Sequence, residues 1–447
     1  MHTRYIFAFL IFLALPAYGQ TTRVAAVNQG NFSDGNGSIT FYEPATGAVI
    51  QDVASGTGSI FQSAFEADGT VYIAANTGLG LELIDAGTGE RTAQIEGVTG
   101  SRYAAAFEGV AYVSSQSFSS PSFVSAIDLA TNTLLETIEV GGTPEGVAVA
   151  GGKVFVALGG FGSDSTLAVI DPLTNAVVDT VDADCDGTRS LATDADDELW
   201  VLCTGGVVRD ANFNIIEETP GSLKAISPET FKPFATFTFD NDEYGTAQGI
   251  GQDLHYDAET QTLYVVSGAS TIYRFDTSRN EFIDTIEAPE GDTTIESVTY
   301  AAGQLYLGRV LPAPDGFTSA GFVTIHDDAG TEVGRFEAGV APAFLFSYET
   351  NVVLDNEPEL PISLAGLAVY PNPFANAATL ELELEQPAMV QVDVYTLDGR
   401  LVQTLDAGER PAGAATLRIE GASWPAGAYL VRVVIDGQAA SRLVVRS

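Results

Sequence analysis

A short turn recurs along this chain and limits what the chain can become. It reads FYEPATG (Phe41–Gly47), LIDAGTG (Leu83–Gly89), AIDLATN (Ala126–Asn132), VIDPLTN (Val169–Asn175), AISPETF (Ala225–Phe231), RFDTSRN (Arg274–Asn280) and TIHDDAG (Thr324–Gly330). Each copy closes an apolar run, usually with an acid. Four residues later stands Gly or Asn in six of the seven copies, Phe231 being the exception. Gly and Asn tolerate the positive φ that ends a tight hairpin, and a leading Asp can hydrogen-bond the turn's own backbone. Copies roughly 40–50 residues apart, flanked by short β runs, are the pattern of a propeller.

Each repeat reads as strand, loop, strand, turn, strand and a fourth strand. The first strands of the repeats start at Val24, Val71, Ala111, Val154, Leu199, Leu263 and Leu305. The fourth strands read IFQSAF (Ile60–Phe65), SRYAAAF (Ser101–Phe107), PEGVAVA, TRSLAT, AQGIGQDLHY, IESVTY and PAFLFSY (Pro342–Tyr348). Seven of each predicts an all-β, seven-bladed β-propeller. In that fold the fourth strand lies innermost and opens the next blade, so strand 342–348 is expected beside 24–27, closing the ring and protecting sheet edges. The regular turns then share one face. The opposite face receives the long loops Asn28–Gly37, Ser114–Ser122, Leu158–Ser165, Thr204–Gly221 and Arg309–Gly321, which suits a binding surface on a rigid scaffold.

The ends carry different signals. His2 and Arg4, the apolar run Tyr5–Leu15 and Ala17-Tyr18-Gly19 before Gln20 read as a secretory leader over residues 1–19. The propeller is assigned to 20–348. Residues 349–366, acidic and with two prolines, read as a linker. From 367 to 447, alternation in TLELELE, MVQVDVY, TLRIE and YLVRVVI predicts a small antiparallel, Ig-like β-sandwich.

Residues 367–447 resemble the C-terminal sorting domain of type IX secretion. The matching pieces are LAVYPNPF (Leu367–Phe374), VQVDVYTLDGRLV (Val390–Val402) and WPAGAYLVRVVIDGQAASRLVV (Trp424–Val445), with Tyr370, Pro371, Asn372, Pro373, Gly399, Gly427 and Tyr429 as the motif residues. The resemblance implies export by that machinery to the outer cell surface. The repeats resemble YVTN or surface-layer propellers, as in TIEVGGTPEGVAVAGGKVFVA (Thr137–Ala157). Val27–Val49, Gly100–Phe107, Glu198–Gly206 and Gly339–Tyr348 are similar to surface propellers of Bacteroidetes, some of which capture cobalamin for a TonB-dependent outer-membrane transporter. That resemblance implies a corrinoid as ligand.

Charge removes other partners. The chain has 59 acids against 19 bases, a net charge of −40, and lysine only at 153, 224 and 232. Nucleic acid is close to excluded. The dispersed acids read as a solvated surface, with cation binding as the alternative. Catalysis is poorly supplied. Beyond the leader only His255 and His326 remain; His326 fills the Asp slot of the seventh turn and His255 lies in an inner strand. Neither a His-rich metal site nor a Ser–His–Asp triad is expected, and no cofactor. Cys185 and Cys203 fall at one end of a predicted hairpin. In an exported chain they favour a disulfide, with two buried thiols as the alternative. The aromatics Phe32, Phe118, Phe123, Phe161, Tyr244 and Phe317, with Tyr103, are the binding candidates. Arg102, Arg189 and Arg309 could orient an anionic group, or pair with neighbouring acids. The expected function is non-enzymatic ligand capture at the cell surface. Adhesion through glycan or protein is one alternative, and a lactonase-like hydrolase a second.

Overall fold

The computed structural model describes residues 18–77, 80–116, 122–160, 164–209, 215–239, 254–267, 269–312, 315–353, 368–384, 387–396, 400–435 and 438–446. Regular structure among them is all β, without helix. The chain divides into two compact units, Gln20–Val352 and a second that takes in Val353–Ser447. Residues 1–17 of the expected leader lie outside the described residues.

Among the described residues, the first unit holds seven four-stranded sheets and one small hairpin, Val207–Arg209 with Ile215–Glu218. The second sheet shows the plan: Phe61–Ala67, Thr70–Ala75, Gly80–Asp85 and Arg91–Glu96 follow one another as an antiparallel meander. The third to seventh sheets open in the same way, with the lead strands Ser101–Phe107, Val147–Ala150, Thr188–Thr193, Leu254–Asp257 and Thr294–Ala301. The first sheet takes three strands from the start of the unit, Tyr18–Asn28, Ser38–Glu43 and Ala48–Val53. Its lead strand, Pro342–Val353, comes from the far end and lies beside Tyr18–Asn28. That strand runs on through 349–353, the first residues of the expected linker. The period-two pattern explains why: Tyr348 and Thr350 are buried on either side of exposed Glu349. Residues 354–366 lie outside the described residues.

Strand alternation builds the core. In Thr70–Ala75, Val71, Ile73 and Ala75 join Phe41, Phe61 and Tyr348 in one apolar cluster, while Tyr72 and Ala74 join Ala111, Val113 and Ile127 in another. Both faces of the sheet are therefore buried, each against a neighbour. The same arrangement links the third sheet to the fourth, the fourth to the fifth, the fifth to the sixth and the sixth to the seventh. The seventh meets the first through Tyr306, Val323, Val24 and Ala26. Among the described residues, seven sheets thus share seven clusters in a closed cycle, and each sheet buries both faces of its inner strands. Lead strands of the second to seventh sheets lie side by side in succession, and the last strands are the most exposed.

The recurring turns behave as their composition demands. Gly47, Gly89, Asn132, Asn175, Phe231, Asn280 and Gly330 all have φ between 48° and 82°. The Asp85 carboxylate accepts from the N–H groups of Gly87 and Thr88, Asp128 from Thr131, and Asp171 from Leu173. In the seventh turn this role passes to Asp327, which accepts from Ala329 and Thr331. His326 is buried instead: its Nδ1 donates to the Gly330 carbonyl and its Nε2 accepts from Thr324. Burial holds this imidazole below its ordinary pKa, consistent with a neutral ring.

The exception at Phe231 has a physical cause. The Tyr72 hydroxyl donates to Asn132 Oδ1 in the turn of the next sheet at 2.7 Å, and Tyr112 does the same to Asn175 at 2.9 Å. The equivalent strand residue in the fourth sheet is Phe155, which has no hydroxyl. Its ring meets Phe231 edge-on, with centroids 5.9 Å apart. An apolar pair replaces a polar one. Phe231→Asn alone should therefore destabilise the unit by about 1–3 kcal/mol, because its amide is buried without the hydroxyl. Adding Phe155→Tyr should restore most of the loss, with a coupling of about 1–2 kcal/mol in a urea-melt double-mutant cycle. Additive losses would contradict the pairing.

The second unit has two antiparallel sheets: one of Ala368–Tyr370, Ala377–Leu384 and Gly413–Glu420, the other of Leu401–Arg410, Ala388–Thr396, Gly427–Ile435 and Gln438–Arg446. They share a core that includes Leu380, Leu382, Val392, Val394, Ile419 and Val431. The YPNPF segment enters with cis bonds before Pro371 and Pro373. Its side chains tie the first strand to the last. Asn372 Oδ1 accepts from the Val445 N–H, the Phe374 N–H donates to the Val445 carbonyl, and the Phe374 ring is buried edge-on against Trp424. Gly427 opens its strand. Tyr429 is buried and donates to the Pro425 carbonyl. Tyr370 is half exposed and its hydroxyl bonds Glu381. Gly399 lies outside the described residues.

Candidate functional site

In an antiparallel meander, the start of the first strand and the end of the second lie at the same end of the sheet. The long loops follow second strands, so they gather at the end where each lead strand begins. Backbone bonds between neighbouring connections confirm one shared end: Gln29 N–H to Ala341, Phe61 N–H to Gln29, Thr143 N–H to Leu158 and Gly159 N–H to Thr188. The lead strands converge beneath these loops.

At this end four lead strands carry a bulge, and the bulged segment holds a polar residue. Register shifts between Phe61 and Ser63, Ser101 and Ala104, Thr188 and Ser190, and Ile295 and Ser297 release Gln62, Arg102, Arg189 and Glu296 from the ladder. A bulge re-aims the side chain that it frees. Glu145 takes the matching place just before Val147–Ala150. The contacts run across sheets: Arg102 is bidentate to Glu145, with bonds of 2.8–3.0 Å, and its third nitrogen donates to Gln62 Oε1 at 2.6 Å. Gln62, Arg102, Glu145 and Arg189 are all under a tenth exposed. A polar girdle thus rings the mouth.

Just inside it lies a cavity of about 130 Å³ to which six of the seven lead segments contribute, through Ser63, Tyr103, Gly146, Ser190, Leu254 and Phe344. Such a space suits a few waters and falls short of the 300–1,000 Å³ typical of drug-sized ligands. Tyr103 and Phe344 face each other across 6.1 Å. His255, on the sixth lead strand, packs 6.4 Å from Tyr264, and burial pushes its imidazole down to about 4.

The expected binding residues are not gathered into one pocket. Phe32 is 73% exposed on its loop and Phe317 is half-buried on another. Those two loops are joined by Asn31, whose amide donates to the Phe317 carbonyl at 2.9 Å. Phe123 starts the strand Phe123–Asp128 and is half-buried. Phe118, Phe161 and Tyr244 lie outside the described residues. Arg102 and Arg189 stand in the girdle, and Arg102 is held by Glu145 rather than offered to solvent. Arg309 is a correction: it is not in the loop but in the strand Gln304–Val310, opposite Phe322, and fully buried. It donates to the Ala288 carbonyl and to Thr324, and burial lowers its pKa to about 10. Composition alone missed Gln62, Glu145 and Glu296. Aligning FQSAF, SRYAA, PEGVA, TRSLA and IESVT would have found them, since each has a polar second residue.

Cys185 and Cys203 form a disulfide with Cα atoms 6.1 Å apart. It sits at the base of the connection that starts at Thr204. Beside it the Asp186 carbonyl accepts from the Gly205 N–H, and the Asp186 carboxylate from the Thr219 hydroxyl at 2.6 Å. The bridge closes a loop of 18 residues, so reduction should cost about 3 kcal/mol of stability. Thermal melts with and without reductant check this; an unchanged melt would contradict it.

The comparisons place this architecture. The hydrazine synthase of Kuenenia stuttgartiensis is similar in fold, with TM-score 0.50 and 15% identity over 65% of this chain and 94% of that one. A functionally unknown protein from Desulfotomaculum acetoxidans is similar with TM-score 0.53 and 12% identity, over 74% of this chain and 98% of that one. Neither likeness extends beyond fold at such identity. No curated protein matches the sequence. Residues 368–446 match the secretion system C-terminal sorting domain, so the chain is a secreted protein exported by the type IX system. Residues 24–308, more than half of the sequence, match the family described as a domain of unknown function (DUF5074), and the chain belongs to that family.

Proposed function

We propose that the chain is a seven-bladed β-propeller, displayed at the outer cell surface, that captures a ligand on its loop-bearing end without chemistry. The observation that carries this reading is the convergence of the long loops, the polar girdle and exposed Phe32 on one end of the seven-sheet cycle. An exposed aromatic on a rigid ring offers contact area at low entropic cost. On this reading the buried charges of the girdle fix the mouth, and the ligand contacts are made by the loops above it. The alternating shared clusters, closed by the strand Pro342–Val353, are what support the propeller assignment. The small sandwich of the second unit serves export.

A cobamide, passed on to a TonB-dependent transporter, is the ligand that the resemblance of the repeats favours. It is too large for the axial cavity of about 130 Å³, so it would lie across the loops around Phe32 and Phe317. The test is the visible spectrum of protein recovered from its own cells grown with cobalamin. Co-purified corrinoid, lost in Phe32→Ala, supports the reading. Colourless protein from cells that take up the vitamin contradicts it.

A further inference from the structure

His326 belongs to a relay of hydrogen bonds with a fixed direction, which the loop reading does not use. Its side chain is 3% exposed, and Thr324 and Arg309 are fully buried. The Gly330 carbonyl only accepts, so the proton of the neutral ring stands on Nδ1, 3.0 Å away. Nε2 is then an acceptor, and the Thr324 hydroxyl donates to it at 2.9 Å. The same hydroxyl oxygen accepts from Arg309 Nε at 3.1 Å. The relay ends across a sheet boundary. Arg309 Nη2 donates at 2.6 Å to the carbonyl of Ala288, just past the outer strand Glu281–Glu287 of the sixth sheet. The loop that carries Phe317 leaves the Arg309 strand directly after Val310.

We propose that His326 is an acid-sensitive latch between the sixth and seventh sheets, closed while its ring is neutral and opened when the ring takes a proton. A protonated ring offers no acceptor. The Thr324 hydroxyl then loses its partner, and its oxygen lies between two buried cations. A second positive charge is poorly accommodated there. Arg309 Nη1 has no partner among the described residues. Glu290 and Glu332, the acids that act on Arg309, are bound to Arg335 at 3.2 and 2.7 Å. Around the imidazole, Arg309 opposes protonation, while Glu332 in the outer strand and Asp327 in the turn favour it. The Asp327 carboxylate already accepts from Ala329 and Thr331. Arg274 and Tyr300, the other titratable groups at this turn, are directed to Asp328. Toward the sixth sheet the turn meets only an apolar side chain: a Cβ at Gly330 would stand 2.6 Å from Ile286. Burial outweighs the acids and holds the ring below its ordinary pKa of 6.5. A group held below its ordinary pKa binds its proton more weakly folded than unfolded. Its contribution to stability is therefore complete at neutral pH and is lost as pH falls below 6.5.

The test uses the full chain, whose three histidines keep the imidazole spectrum simple. Nitrogen NMR, with His326→Gln to assign the signals, should show the His326 proton on Nδ1 at neutral pH and a titration midpoint below 6.5. Arg309→Met removes the neighbouring cation and should raise that midpoint. In urea melts, the unfolding constant of the parent relative to His326→Gln should stay level at neutral pH. Below the ordinary histidine pKa it should rise, by up to about tenfold per pH unit. Hydrogen exchange in Gln304–Val310, corrected for the intrinsic effect of pH, should quicken as the ring titrates and should not do so in His326→Gln. None of these readouts needs a ligand, so the latch and the loop site stand or fall separately. A proton on Nε2, a midpoint at or above 6.5, a ratio that stays level in acid, or exchange that ignores the titration would overturn the proposal.

Discussion

Phe374→Ala is expected to destabilise the C-terminal unit by about 3–5 kcal/mol and to reduce export of the chain sharply. Phe374 is 1% exposed in the shared core, and its ring meets Trp424, which in turn packs 4.8 Å from Tyr429. Gly421 leaves room for it: a Cβ there would come within 2.4 Å of the ring. Truncation therefore opens a cavity under the segment that clamps the final strand, Gln438–Arg446. Loss of the ring also loosens Asn372, whose side chain holds Val445. Tyr370→Phe, at a half-exposed position, should change stability by less than about 1 kcal/mol and serves as the control. The check is thermal unfolding of both variants, with the fraction of chain outside the cell measured in parallel. A Phe374→Ala chain that melts and exports like the parent would show that the motif is read as sequence rather than through its fold.

Arg102→Ala is expected to cost the first unit about 3–5 kcal/mol, and Glu145→Ala a similar amount. Each removal leaves the partner's charge buried without its counter-ion: Arg102 is 6% exposed and Glu145 1%. The pair spans two sheets and is extended to a third by Gln62, so its loss loosens the girdle across three neighbours. Arg102→Met with Glu145→Leu should cost far less than the sum of the single changes, since replacing a buried pair by apolar residues is often near neutral. Denaturant titration of the four proteins gives the coupling directly. Additive effects would mean that the two charges are solvated separately and that the mouth is not braced by this pair.

Much of this architecture is legible because local chemistry repeats. A turn that needs positive φ, and in most copies an acidic acceptor, writes itself into sequence seven times, and the strands between turns alternate faces. The YPNPF segment is legible as a motif, although its clamp on Val445 becomes visible only in three dimensions. The girdle is harder to read. A bulge has no composition of its own, so Gln62 and Glu296 look like ordinary strand residues until the shifted register shows them freed. Arg309 misleads for the opposite reason. It stands beside a proline-rich loop, yet the strand continues past it and carries the guanidinium into the interior, where Thr324 and a carbonyl receive it. Phe231 breaks the turn pattern where Phe155, in the preceding sheet, lacks the hydroxyl that Asn132 and Asn175 receive from Tyr72 and Tyr112.

The central claim is that the loop-bearing end of the seven-sheet unit binds a ligand. Calorimetric titration of the full chain with cobalamin tests it most directly. The account predicts saturable one-to-one binding that is abolished by Phe32→Ala with Phe317→Ala. Absence of heat and of any spectral shift from correctly folded protein, or binding that survives loss of both aromatics, would contradict it.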